Sequence, residues 1–209
     1  MDLIDPAVQR VGVYGGAFDP PHHTHTDLVR AAMAQWRLER MHVLPTGQAW
    51  HRQQQPTDAV HRLAMAKLAF AELPGVVVDP REILRTGPSY TVDSLRELQI
   101  GYPRARLHLL IGSDQARALT SWHDWQDLVN LAQLCVAPRL DDGTPQGQAP
   151  ELPELALAGA RIEYLNTVAV ATSATEIRQR VAKGLGIDHL VAPAVARYID
   201  QHHLYRTAR

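Results

Sequence analysis

In the stretch VGVYGGAFDPPHHTHTDLV, residues 11–29, an adjacent glycine pair is followed within ten residues by His22, His23 and His25. Glycine backbone lets a ligand approach closely, and a helix that starts just beyond it offers unpaired N–H groups at the positive end of its dipole. His22 and His25 are three apart, so on a helix they share one face, and each can present a ring N–H to an anion. That chemistry suits phosphate. The same spacing admits two other readings. One is a zinc site, although no cysteine or HExxH partner lies nearby; the other is a set of histidines that only caps and surrounds a turn. Neither GxxxxGK[ST] nor GxGxxG occurs, which excludes the generic P-loop and dinucleotide readings.

Two further segments carry residues of the same kind. TSATEIRQR, residues 172–180, places Ser173 and Thr175 around the start of a helical run with Arg178 in its first turns, a natural N-cap and anion site. Standing alone it reads equally as a capped surface helix. IGSDQA, residues 111–116, supplies Gly112, Ser113 and Asp114 at the carboxyl end of a β-rich run, where ligands bind in open α/β sheets. A helix N-cap by Ser113 or Asp114 accounts for the same residues.

Elements must position these groups. Short β-rich runs at 10–14, 40–44, 76–79, 106–111, 134–137 and 161–165 alternate with helical patterns, which predicts an α/β fold with a parallel sheet. Leu28, Val29, Ala32, Met33 and Trp36 form an apolar stripe of helical period after the first strand. A second helix is expected after Thr57 as N-cap, running through Leu63, Ala66, Phe70 and Leu73 to Pro74 and Gly75. Shorter helices are expected at 91–100, 124–131, 173–183 and 192–202. The segment 140–153 is rich in Gly, Pro and polar residues and reads as a loop or tolerated insertion, with no domain boundary in it. One domain over residues 1–209, with a small C-terminal helical part from about 173, is the simplest organisation.

Composition bounds the function. The chain has 209 residues, 45% hydrophobic and 21% charged, enough to bury a core and unlike disordered or fibrous sequences. Lys plus Arg number 21 and Asp plus Glu 22, so no global field draws nucleic acid or an anionic membrane, and any anion site is local. Cys135 is the one cysteine, which rules out a disulfide framework within the chain and fits a reducing compartment. The N-terminal residues do not read as a secretory signal and no run approaches the ~20 apolar residues of a membrane span. A cytoplasmic protein is expected, with no nucleic-acid or membrane partner.

These residues carry a resemblance. GGAFDPPHHTH is similar to the GGxFDPxHxGH motif of the HxGH nucleotidyltransferase superfamily, with Gly15, Gly16, Phe18, Asp19, Pro20, His22 and His25 in place and Thr24 where the pattern has Gly. TSATEIRQR resembles the superfamily's ISxTxIR motif, and IGSDQA its adenosine-pocket segment. RTGPSYTVDSL, residues 85–95, and SWHDWQDL, residues 121–128, resemble segments of the nicotinate mononucleotide adenylyltransferases. PTGQAWHR, residues 45–52, resembles that family's PHK or PHR segment more loosely, since Trp50 replaces Pro. ARYIDQHHLYR is similar to its terminal helix, so the likeness covers nearly the whole chain.

The resemblance implies a Rossmann-like parallel sheet with flanking helices, and transfer of AMP from ATP to nicotinate mononucleotide, giving deamido-NAD and pyrophosphate. It implies ATP binding by Gly15, Gly16, Phe18, His22, His25, Gly112, Asp114, Ser173, Thr175 and Arg178, with His22, His25 and Arg178 catalytic. Nicotinate mononucleotide would be held by Tyr90, Thr91, Trp122, His51 and Arg52, with Trp122 stacked on the pyridine. Mg²⁺ is implied as a partner of the ATP phosphates, with no protein metal site assigned; a homo-oligomer is left open. Nicotinamide mononucleotide or phosphopantetheine are alternative acceptors in the same superfamily. A nucleotide-binding regulator without turnover and a zinc-binding histidine module are alternatives of other classes.

Overall fold

The computed structural model describes residues 7–47, 57–137, 152–166 and 172–206. Six strands, β1 (Arg10–Gly16), β2 (Arg40–Pro45), β3 (Val76–Val78), β4 (Arg106–Gly112), β5 (Ala132–Ala137) and β6 (Ile162–Tyr164), form one sheet in the order β3-β2-β1-β4-β5-β6. Every pairing is parallel. The helices are α1 (His23–Gln35), α2 (Ala59–Phe70), α3 (Arg81–Leu84), α4 (Thr91–Gly101), α5 (Ser113–Arg117), α6 (Trp125–Leu131), α7 (Pro153–Leu157), α8 (Ala174–Ala182) and α9 (Pro193–Gln201), with a 3-10 turn at Leu119–Ser121.

The strands are apolar on both faces because helices cover both. Val11 and Val13, Leu107, Leu109 and Ile111, and Leu134 and Val136 meet Val92, Leu95 and Leu98 of α4 and Leu128 of α6 on one side. The alternate residues Tyr14, Leu110 and Cys135 meet Val29 and Ala32 of α1 and Ala66 and Phe70 of α2 on the other. A third cluster joins Met65 of α2 to Ile177 of α8 and Val195 and Ile199 of α9, which docks the C-terminal helices beside the sheet.

β1 lies between β2 and β4, so the chain reverses its direction of sheet growth there. A crevice opens at the carboxyl ends of β1 and β4, the place where open α/β sheets bind ligands. It is where the glycine pair and Gly112 emerge.

Three local expectations are corrected. The first strand, expected over 10–14, continues through Gly15 and Gly16, which pair with Leu44 and Pro45 as the last residues of β1, and the turn follows them. The N-cap of α2 is Asp58, whose side chain accepts from the Val60 N–H, rather than Thr57. The N-cap of α5 is Gly112, whose N–H donates to Oε1 of Gln115, rather than Ser113 or Asp114. No helix among the described residues is long and apolar enough to cross a membrane.

Candidate active site

A Cβ placed on Gly15 or Gly112 would meet nothing within 4 Å, and both residues line the same cavity. The ends of β1 and β4 therefore offer bare backbone to whatever fills it. Beyond Gly16 the chain turns through Phe18, at φ 50, and the cis Asp19–Pro20 bond before α1 begins. The buried Phe18 ring packs edge-on against Tyr14 at 5.5 Å, His25 at 5.1 Å and Phe70 at 5.8 Å. These contacts fix the imidazole from one side.

His22 is the N-cap of α1 in extended conformation, and its backbone N–H donates to Nδ1 of His25 at 3.1 Å. The two imidazoles lie 3.8 Å apart between ring centres. Burial, and then the proximity of His22, hold the His25 pKa well below 6.5, so the ring is neutral at pH 7. Because Nδ1 accepts a hydrogen bond, the single ring proton sits on Nε2. His25 is thereby prepared as an N–H donor that carries no full charge.

From the far end of the sequence, α8 brings three further polar groups. The Ser173 hydroxyl caps the helix by accepting from the Glu176 N–H at 3.2 Å. Arg178 donates through Nη1 to the Asp19 carbonyl at 2.8 Å and through Nη2 to Oγ1 of Thr175 at 3.1 Å. Asp19 is a junction: its Oδ1 accepts from the Tyr205 hydroxyl at 2.7 Å and its Oδ2 from the Thr57 N–H at 3.1 Å. Burial first, and then the charge of Asp19, push the Tyr205 pKa upward, which keeps that hydroxyl a donor. Buried Arg62 ties the same turn down from below, donating to the carbonyls of Ala17 at 2.9 Å, Thr46 at 2.8 Å and Thr57 at 2.8 Å.

All the residues expected to hold ATP, from Gly15 to Arg178, line this one cavity of about 430 Å³. Thr24 lines it too. It sits in regular helix, so the threonine leaves the turn intact, and its Oγ1 is buried without a hydrogen-bond partner among the described residues. His23 is exposed and does not line the cavity. Among the described residues no group of three or more His, Cys, Asp or Glu is placed to hold a metal ion.

A second cavity of about 360 Å³ adjoins the first, sharing Gly15, Gly16, Ala17, Ile111, Asp114 and Gln115 with it. Tyr90, Thr91 and Trp122 line it as a group; His51 and Arg52 lie outside the described residues. Tyr90 is the N-cap of α4 and Thr91 its first residue, so this cavity meets a helix N-terminus. Glu82 lies in its wall, buried, with Oε1 accepting from the Ser94 hydroxyl at 2.9 Å and its carbonyl accepting from the Ser89 hydroxyl at 3.0 Å. Burial pushes the Glu82 pKa upward. His123 stacks on Tyr90 with ring centres 4.1 Å apart.

Sequence reasoning missed Arg62, Glu82, His123 and Tyr205 as parts of the site. Arg62 did leave a signal: it stands four residues before Ala66 and eight before Phe70, in register with buried positions where an apolar residue is expected. The Asp19 to Tyr205 contact spans 186 residues and leaves none.

A family model described as cytidylyltransferase-like matches residues 13–180, a span that contains the histidine turn, both glycine strand ends and Arg178. That makes the protein a nucleotidyltransferase. A relative from Albidiferax ferrireducens, named a probable nicotinate-nucleotide adenylyltransferase, is 51% identical over 201 residues, covering 96% of this chain and 100% of its own. One of the same name from Methylibium petroleiphilum is 39% identical, covering 96% and 94%. The chain belongs to the nicotinate-nucleotide adenylyltransferase family. Its fold is also that of the Plasmodium falciparum nicotinic acid mononucleotide adenylyltransferase complexed with NaAD, at TM-score 0.76 and 18% identity over 94% of this chain and 97% of that one.

Proposed function

We propose that this protein transfers AMP from ATP to nicotinate mononucleotide, forming deamido-NAD and pyrophosphate, a step of NAD synthesis. The observation that carries the reading is the pair of joined cavities. One gathers His22, His25 and Arg178 around bare backbone, and the other gathers Tyr90 and Trp122 beside a helix N-terminus. An acceptor phosphate and the α-phosphorus of ATP would meet at the shared floor of Gly15 and Gly16.

The chemistry needs no enzyme nucleophile. An oxygen of the acceptor's 5′-phosphate attacks the α-phosphorus, the bond to the bridging oxygen breaks, and pyrophosphate leaves with the electron pair. The chain's work is positioning and charge stabilisation. Nε2–H of His25, Arg178 and the α1 and α8 N-termini are the groups that would offset charge on the phosphates. His22 fixes the His25 ring by its backbone donation. Trp122 would stack on the pyridine, and the Tyr90 and Thr91 backbone at the start of α4 would receive its carboxylate.

The donor set fits Mg²⁺ held by the triphosphate rather than by a protein cage. Asp19 is engaged by Tyr205 and Thr57, Asp27 pairs with Arg30, and Asp114, 52% exposed, lies 3.8 Å from Arg117, so each carboxylate described along the ATP cavity already has a partner and the ion would rest chiefly on the triphosphate and its own waters. Bound there, Mg²⁺ would neutralise phosphate charge. A cytoplasmic location accompanies this reading, and a homo-oligomer is compatible with it.

The test is pyrophosphate release from ATP and Mg²⁺ with nicotinate mononucleotide, nicotinamide mononucleotide or phosphopantetheine, with the product's mass measured. Turnover with nicotinate mononucleotide well above the other two is expected. ATP binding with no release from any acceptor would overturn the reading.

A further inference from the structure

The acceptor cavity has two walls that come from separate parts of the chain. Tyr90 and Thr91 stand at the start of α4, whereas Ser121, Trp122 and His123 belong to the segment that leads into α6. A flat ring held between such walls needs their separation fixed, because dispersion contact is lost across small gaps. The His123 ring stacked on Tyr90 joins them at the cavity. Behind the cavity Arg96, about one and a half turns further along α4, makes a second tie. Its Nη1 donates to Oδ1 of Asp93 at 3.2 Å on its own helix, and its Nη2 donates to Oδ2 of Asp124 at 3.2 Å and Oδ2 of Asp127 at 2.5 Å, both at the start of α6. One guanidinium therefore reaches from the Tyr90 helix to the residue two beyond Trp122.

Asp124 shows what that contact does. It is the N-cap of α6, a position where the backbone is usually extended and the side chain accepts from the helix's own N–H groups. Here the backbone is left-handed, at φ 49 and ψ 41, and the side chain makes no cap hydrogen bond. A left-handed residue other than glycine persists where its surroundings hold it, and the carboxylate that would cap the helix is engaged by Arg96 instead. That backbone conformation sets the direction in which the chain leaves Trp122 and His123.

Resting on the function proposed above, we propose that Arg96 is a positioning residue for the acceptor: from outside the cavity it acts through Asp124 and Asp127 to hold the Trp122 segment at the distance from Tyr90 that the pyridine ring requires. Arg96 lines neither cavity, so it acts on the substrate only through these neighbours. Leu95 and Leu98 of α4 share an apolar cluster with Leu128 of α6, so the two helices stay packed without it and the ion pairs govern the entry to α6. The Arg96 side chain is 40% exposed, which leaves the contacts open to solvent and salt, and about a fivefold effect is the scale expected, the upper range for exposed ion pairs.

The experiment measures kcat and both KM values for Arg96→Met, which keeps an aliphatic stem and removes the guanidinium. KM for nicotinate mononucleotide is expected to rise about fivefold, with kcat and KM for ATP unchanged. Arg96→Lys, whose ammonium lacks the planar fork, should fall between that variant and the parent. Raising KCl from about 0.05 to about 0.5 M should shrink the ratio of variant to parent KM, because salt weakens the ion pairs that only the parent has, while its effect on the substrate's own charges is common to both. In an Asp124→Asn/Asp127→Asn background the Arg96→Met change should add little, since asparagine tolerates the left-handed backbone but offers Arg96 no charge. An unchanged acceptor KM in Arg96→Met, with nicotinate mononucleotide still turned over, overturns the proposal and leaves the assigned reaction standing. A rise shared by KM for ATP, with a lower thermal midpoint, also overturns it, because it marks a general loss of structure. A full further rise in the double-asparagine background contradicts it too, since Arg96 would then act through other groups. No turnover by the unmodified protein removes the reaction itself, and the proposal with it.

Discussion

The two cavities share a floor but are built in opposite ways. On the phosphate side, groups from both ends of the chain are locked to one another: His22 to His25, Arg178 to Asp19, and Tyr205 to Asp19. On the acceptor side, Tyr90, Trp122 and His123 come from segments between elements or at their ends and line one cavity, with the His123 ring stacked on Tyr90 and no hydrogen-bonded junction like that at Asp19 described among them. A reaction governed by charge at the phosphorus calls for preorganised donors, since donors already fixed need no reorganisation when charge develops. Recognition of a flat ring calls for surface. Rate and selectivity should therefore separate by cavity.

The largest effect expected is on rate. His25→Ala removes the Nε2 donor and should lower kcat by ~10²-fold or more, with KM for nicotinate mononucleotide little altered, as steady-state kinetics will show. Next comes Trp122→Ala, which should raise the acceptor KM by the equivalent of ~1 to 3 kcal/mol of lost stacking while kcat changes far less. If both variants change the same parameter, the division between the cavities is wrong.

Tyr205→Phe sharpens the comparison by loosening the phosphate side without touching ligand. The ring stays buried but Asp19 loses a donor, so KM for ATP should rise by the equivalent of about 1 kcal/mol with the acceptor KM unchanged. A matching rise in both would mean a general loss of structure.

The same preorganisation has a pH signature. The folded-state pKa of His25 is depressed, so below about 6.5 the unfolded chain takes up a proton that the folded chain refuses. The contribution to stability is complete above the unfolded value and is lost as pH falls toward the folded one. Thermal midpoints measured from pH 7 down to pH 5 should decline, and less steeply in His25→Gln. The smallest effect is expected from Thr24→Gly. Its hydroxyl has no hydrogen-bond partner among the described residues, so kcat should stay within about threefold, and the stability change should stay below about 1 kcal/mol, the cost of a helical glycine.

Legibility followed the range of the signal. The six strands were readable because each is a short apolar run between helical patterns, and the motif residues from Gly15 to His25 were readable because they are local in sequence. The strand membership of Gly15 and Gly16 was not, because a glycine pair looks the same in a ladder as in a turn and its partners Leu44 and Pro45 lie on another strand. α3 and α7, at 4 and 5 residues, are too short to show a helical period. Arg62 bonds three carbonyls that come together only in the fold, and His123 gains meaning only through its stack on Tyr90.

The most direct test of two cavities joined at one floor is a crystal structure with deamido-NAD bound. The pyridine is expected against Trp122 and Tyr90, the adenosine half beside Gly112 and Asp114, and the bridging phosphates over Gly15 and Gly16 within reach of His25. A dinucleotide lying wholly within one cavity, or a pyridine remote from Trp122, would contradict that arrangement.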